Sequence, residues 1–436
     1  MKKNSNTNYK SFIGLTPLIL FVLILITAGL ATKSFTSMPV LVAFMLVAAY
    51  TLCLNRKDEK ISLEEKVEIF AKGAGNSTIM LMVIIFILAG AFYSVANSMG
   101  AVESTVNFGL SILPTNWILP GLFLVSCIIS FSMGTSMGTI TAITPIAIGL
   151  ATHTDISLPL LIGTVVGGSM FGDNLSFVSD TTIAASRTQN IELKEKFKVN
   201  SIMVLPAVII TIFILTFTHT SNSEIIYSQY SLIRILPYLC IIISALIGLN
   251  VIAVLGIGIG VGSGLGLYLG SFTFLELLMI IQNGFSGMQD LALISIVVAG
   301  IISLMEYHGG INYLLDKSIK NIKTKKGAEM GIATLASLLD IAAANNTIAI
   351  VTAGPLAKDI SKEYSIDPRR TASLLDIFSS AFQGLIPYTP QILLAAGLAK
   401  ISPLQIVSFN YYSMLMIVFG SLSVITGIPK LKQKIK

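Results

Sequence analysis

The chain has 436 residues, of which 54% are apolar and only 11% charged, against roughly 25% charged in a soluble protein. A soluble fold of this size would lack the charges to cover its surface, which excludes a soluble enzyme. The net charge of +6 reads as a membrane-topology signal, with no nucleic-acid partner implied.

The predicted elements start at residues 12–32, preceded by Lys2, Lys3 and Lys10. This run is long for a signal peptide and another apolar run, 37–54, follows closely, so both are taken as spans. Residues 55–75 form a charged segment, and 76–98 cross again. A bilayer core about 30 Å thick needs about 20 helical residues to cross it. Residues 117–151 are expected to enter and leave on one side as a re-entrant hairpin. A broken helix, 158–186, and a span, 201–218, complete the first half. The second half reads 235–250, 251–270, 291–305, a hairpin at 327–357, a broken helix at 371–399 and a last span at 404–427. Alternating strands of about 10 residues are absent, against a β-barrel. Cys53, Cys127 and Cys240 lie inside apolar runs with no disulfide or metal spacing.

The halves resemble each other at a spacing near 210: Ala89-Gly90 matches Ala299-Gly300, Gly100 matches Gly310, and Pro159 matches Pro368. Residues 99–116 hold no Lys or Arg, whereas 308–326 hold Lys317, Lys320, Lys323, Lys325 and Lys326. Positive loops stay cytoplasmic, so the equivalent helices run in opposite directions. The expected architecture is therefore an all-α polytopic membrane protein with two inverted repeats of transmembrane helices, 1–230 and 231–436, in one transmembrane domain. Each repeat has a re-entrant hairpin and a broken helix. The cell inner membrane holds it, with both termini cytoplasmic. Inverted repeats are a hallmark of secondary transporters.

Non-helical backbone at membrane depth survives only where it is buried or lines a cavity. Four polar breaks occur: 132–139, 172–182, 344–347 and 383–391. Broken helices expose carbonyls and helix ends that bind ions, and Ser, Thr and Asn oxygens suit Na⁺. Asp173 and Asp180 stand out, since an Asp at the bilayer centre costs about 2.5–3.5 kcal/mol. Seven residues apart, they share a face if the segment is helical. A shielded carboxylate that holds either H⁺ or a metal cation is the physics of exchange, so both are the expected metal-binding residues. Asp340 and Asp376, before the second-half breaks, are further candidates for ion or proton coupling. Arg369-Arg370 reads as a cytoplasmic anchor.

Gly256, Gly260 and Gly264, and Gly258, Gly262 and Gly266, lie in a charge-free stretch without the Lys of a phosphate loop, and suggest close helix packing. An intramembrane aspartyl protease would need a Tyr-Asp partner for Gly172-Asp173, and none occurs. A passive channel would need no proton-competing carboxylate.

The stretch Gly172-Asp173-Asn174-Leu175-Ser176-Phe177-Val178-Ser179-Asp180-Thr181-Thr182 resembles the GD-x-x-S-P-x-S-D-T-T signature of the NhaC-type sodium/proton antiporter family, within the ion-transporter superfamily. Gly134-Thr135-Ser136-Met137-Gly138-Thr139 is similar to its G-T-S-W-G-T segment, and Leu385-Ile386-Pro387-Tyr388 to its L-I-P-W segment. Phe177 stands for the signature proline, Met137 for a tryptophan and Tyr388-Thr389 for W-N. The resemblance implies Na⁺/H⁺ exchange by alternating access, with Na⁺ as the transported ion and no cofactor. Asn174, Ser176, Ser179, Thr181 and Thr182 would supply oxygens, joined by Thr135, Ser136 and Thr139 from the first hairpin and Asn345, Asn346 and Thr347 from the second. The alternative is Na⁺- or H⁺-coupled transport of a small organic solute, a carboxylate or amino acid, held by Gln383, Thr389 and Gln391. A homodimer is left open as the assembly.

Overall fold

A computed structural model describes residues 9–32, 39–112, 114–177, 179–218, 229–319, 323–429 and 431. Among these, every regular element is helical. The expected cytoplasmic placement of the two termini concerns residues 1–8 and 432–436, outside the described residues.

The first half runs α1 (Thr16–Thr32), α2 (Val40–Cys53), α3 (Leu63–Ala74), α4 (Ser77–Ser98), α5 (Ala101–Ile112), α6 (Ile118–Met133), α7 (Ser136–His153), α8 (Leu158–Leu175), α9 (Asp180–Gln189) and α10 (Leu193–Thr218). The second runs α11 (Leu232–Leu246), α12 (Val251–Tyr268), α13 (Phe274–Gly287), α14 (Gln289–Tyr307), α15 (Gly310–Ile319), α16 (Lys325–Ala343), α17 (Asn346–Glu363), α18 (Pro368–Gln383), α19 (Pro390–Ala399), α20 (Pro403–Val407) and α21 (Tyr411–Thr426). The element order recurs, with α20 and α21 together taking the place of α10. By length and composition α4, α10, α12 and the stretch Phe274–Tyr307 can cross a membrane.

Helix–helix contacts are reciprocal between the halves. α3 packs on α14 as α13 packs on α4, and α7 packs on α19 as α17 packs on α9. Glycines set the closest approach: a Cβ on Gly90 would run into the Gly284 carbonyl, and one on Gly284 into Gly90. At the equivalent place, a Cβ on Gly73 would meet Ser303 and the Ala299 carbonyl.

Several expectations need correction. The charged segment 55–75 contains helix α3, opened by a Ser62–Glu65 capping box. α13 opens with a Thr273–Glu276 box in the same way. The stretches 99–116 and 308–326, read as loops, hold α5 and α15. Of the two glycine stripes, Gly258, Gly262 and Gly266 pack against Ile241, Val95 and Phe272, while a Cβ added at Gly256, Gly260 or Gly264 would meet nothing within 4 Å among the described residues. α10 begins at Leu193 rather than at 201, which carries Lys196 into the core. Arg370, read as a cytoplasmic anchor, does not stand free at the surface. It is buried and pairs with Glu329 from α16 (3.1 Å).

Candidate functional site

The site is assembled by chain breaks at equivalent places. α6 ends at Gly134 (φ +65°) and α16 at Ala344 (φ +47°), both left-handed. Glycine adopts this conformation freely, and Ala344 bears its steric cost. The next residues, Thr135 and Asn345, are extended, and α7 and α17 then start at Ser136 and Asn346. The side chains of these two first-turn residues meet one carboxylate oxygen. Ser136 Oγ donates to Asp173 Oδ2 at 3.0 Å, and Asn346 Nδ2 donates to it at 3.2 Å. Asp173 is buried near the C-terminus of α8.

The network continues through both halves. Gln391 Nε2 donates to Ser136 Oγ (3.1 Å), and Gln383 Nε2 donates to Gln391 Oε1 (2.6 Å) and to the Ala344 carbonyl (3.3 Å). Thr389 Oγ1 donates to the Gln383 carbonyl (2.8 Å). Thr181 and Thr182 hydroxyls donate to the Asp173 carbonyl, at 2.6 and 3.2 Å, and Ser179 shares a hydrogen bond with Thr181 (2.8 Å). These bonds satisfy carbonyls freed where α8 and α18 end.

A second carboxylate, Asp376 of α18, pairs with the Lys196 ammonium at 2.9 Å, both side chains fully buried. Asn200 Nδ2 donates to the same Asp376 oxygen (2.7 Å) and to the Asn174 carbonyl (2.8 Å). Asn174 Nδ2 reaches Asp376 at 3.4 Å, and Tyr412 Oη donates to Asn174 Oδ1 (2.9 Å). Asn410 donates to the Gly384 carbonyl (2.7 Å) as Asn200 does to that of Asn174, so the motif repeats. The third carboxylate, Asp340 of α16, is fully buried, and among the described residues neither oxygen has a hydrogen-bond partner.

The structure thus brings together Asp173, Asp376, Asn174, Ser136, Asn346, Thr181, Thr182, Ser179, Gln383, Thr389 and Gln391. Asp180 is a correction. The chain leaves the helix at Ser176 and re-enters it at Asp180, so Asp173 and Asp180 do not share a helical face. Asp180 is exposed on the first turn of α9, where a carboxylate suits the positive end of the helix dipole. Thr139 bonds back to the Thr135 carbonyl (3.3 Å), Asn345 Oδ1 caps α17 at Ile348 N (2.9 Å), and Thr347 N donates to Asn346 Oδ1 (3.0 Å). These residues shape the breaks. Ser176 is buried in the α8–α9 break, and Thr135 and Thr347 are half-buried. Lys196, Asn200 and Tyr412 were missed. The buried positions Lys196, Val199, Asn200, Met203, Val204 and Ala207 follow the three-and-four spacing of a packed helix face, a signal present in the sequence. Among the described residues no three His, Cys, Asp or Glu side chains gather as a metal centre.

A cavity of about 260 Å³ opens beside these residues, lined by Asn76, Ser295, Glu306, Ala344, Thr352 and Tyr388 among others.

Comparison with known proteins matches residues 6–220 and 225–428 to the Na⁺/H⁺ antiporter family. The Na⁺/H⁺ antiporter NhaC of Alkalihalophilus pseudofirmus is 23% identical, covering 96% of this chain and 97% of that one. The Bacillus subtilis protein of the same description is 24% identical over 82% and 84%. The malate-2H⁺/Na⁺-lactate antiporter of B. subtilis is 20% identical over 79% and 80%. The solved YdaH transporter of Alcanivorax borkumensis aligns over 95% of this chain and 99% of its own, at 14% identity and a TM-score of 0.44.

Proposed function

This chain belongs to the Na⁺/H⁺ antiporter family, and we propose that it exchanges Na⁺ for H⁺ across the cell inner membrane by alternating access, with Asp173 as the shared carboxylate. The observation that carries this reading is the meeting of both hairpin tips, through Ser136 and Asn346, on one buried carboxylate oxygen. An ionised carboxylate removed from water needs a proton, a cation or strong donors. Ser136 and Asn346 supply donors and leave lone pairs for a cation. Proton and Na⁺ then exclude each other at Asp173, which couples their opposite movements. Asp340, buried without a hydrogen-bond partner among the described residues, is the second proton-carrying candidate. Asp376 has its counter-charge in Lys196 and serves to hold α8, α10 and α18 together. The reciprocal packing of the halves supports an inverted repeat, in which each hairpin is re-entrant and the two access states are related by the pseudo-symmetry.

The cavity next to Ala344 favours a second reading. At about 260 Å³ it exceeds what a bare Na⁺ requires, and a relative named for malate and lactate aligns over most of the chain. Coupled transport of a small organic carboxylate or amino acid is that alternative. The test uses proteoliposomes with an imposed pH gradient and an internal pH dye. Collapse of the gradient on adding Na⁺ or Li⁺ alone is the expected result. A response only after an organic solute is added would replace the first reading with the second.

A further inference from the structure

The Lys196 ammonium sits among oxygens of the kinds that hold a small monovalent cation. They are the Asp376 carboxylate (2.9 Å), the Asn174 main-chain carbonyl (3.1 Å) and the Thr182 hydroxyl (2.6 Å). They come from three elements, α18, α8 and α9. Two more oxygens of the cluster, Oδ1 of Asp376 and Oδ1 of Asn200, are buried with no hydrogen-bond partner among the described residues. Carboxylate, carbonyl and hydroxyl oxygens are hard ligands. An ammonium donates to the same oxygens through its three N–H groups. It also carries the same single charge as Na⁺.

The repeat makes the charges more telling. At the spacing near 210 the counterpart of Lys196 is Ile406, and that of Asp376 is Val166. The asparagines that brace the cluster are kept in both halves, Asn200 on the Asn174 carbonyl and Asn410 on the Gly384 carbonyl. The frame therefore stands without the ion pair, which is an addition made once, across the halves.

We propose that this position is a second monovalent-cation site, separate from Asp173, and that the chain's own Lys196 fills it as a tethered cation that keeps free Na⁺ out. The proposal builds on the exchange reading, in which Asp173 holds the transported ion. Removing the ammonium while keeping Asp376 exposes the site, and Na⁺ restores its charge balance.

The test is equilibrium binding of ²²Na⁺ to the purified full chain at fixed pH, with thermal melting in Na⁺ and in choline. Lys196→Met is expected to gain one bound Na⁺ per chain over wild type and a Na⁺-dependent rise in melting temperature. Lys196→Arg keeps the wild-type count. Lys196→Met combined with Asp376→Asn, neutral without a bound ion, loses the extra Na⁺. The proposal is overturned if Lys196→Met binds no additional Na⁺, if it fails to fold in Na⁺ and choline alike, or if the double variant retains the extra ion. Asp173→Asn separates the two claims. If the exchange reading is wrong it leaves the wild-type count intact, while the gain in Lys196→Met persists.

Discussion

Ser136 and Asn346 begin equivalent helices in the two halves, and both donate to the same carboxylate oxygen of Asp173. Two hairpin tips are thereby tied to one atom of a third element. Displacing either tip withdraws a donor from that atom, so the state of the carboxylate and the position of the tips are linked.

Ser136→Ala and Asn346→Ala should each raise the Na⁺ concentration for half-maximal exchange. A hydrogen bond to a charged group is worth about 1.5–3 kcal/mol, hence a shift of about ten- to a hundredfold. Because both act on one oxygen, the double variant should depart from additivity by about 0.5–3 kcal/mol. A double-mutant cycle in vesicles measures this, and strict additivity would count against a shared acceptor.

Asp173→Asn should abolish Na⁺-driven gradient collapse, whereas Asp180→Asn, at an exposed helix start, should leave the rate within about twofold. Equal loss in both variants would contradict the separation of the two carboxylates.

The Glu329–Arg370 pair fastens the end of the chain, since Arg370 also donates to the Ile428 carbonyl (3.0 Å) and to Ser423. Glu329→Gln leaves Arg370 buried beside a neutral side chain. The expected cost is about 3 kcal/mol, with partial recovery in Glu329→Gln/Arg370→Met. Melting of the detergent-solubilised protein reads both.

His308, just past the end of α14, is 1% exposed. Burial first, then the nearby Lys66 ammonium and Arg56 guanidinium, push its pKa down to about 4. The unfolded chain, with an ordinary value near 6.5, therefore binds a proton that the folded chain refuses between those values. Stability should be full above about pH 6.5 and fall on acidification towards 4, by at most about 3 kcal/mol. His308→Gln should flatten that part of the melting-temperature profile. An unchanged slope would remove His308 from the account.

Gly90→Ala drives a methyl group into the Gly284 backbone, an overpacking expected to cost about 1–3 kcal/mol. Gly260→Ala, whose added methyl meets nothing within 4 Å among the described residues, should be neutral or stabilising by about 0.5–1 kcal/mol. Parallel melting curves compare the pair.

The breaks were legible because glycines and clustered Ser, Thr and Asn interrupt charge-free runs, and Asp173 because a carboxylate stood within one. The placement of Asp180 was not. The face-sharing argument assumed one continuous helix, while the chain is extended at Ser176 and Ser179 and turns the second carboxylate outward. Lys196 was hidden by a reading that starts a span at the first charge-free residue. α10 begins earlier and buries Lys196 of its first turn against Asp376, a partner far away in sequence. α3 and α13 escaped for the opposite reason. They are amphipathic, so uniform hydropathy passes over them, although each carries a capping box at its start.

The ion pair between Lys196 and Asp376 also has a temporal side. The lysine leaves the ribosome some 180 residues before the aspartate, on the order of 10–40 s at about 5–20 residues per second. For that interval the nascent first half carries an ammonium whose counter-charge has not been made. Biogenesis therefore has to shelter it, and the first half expressed alone should be a substrate for quality control until the second is supplied in trans.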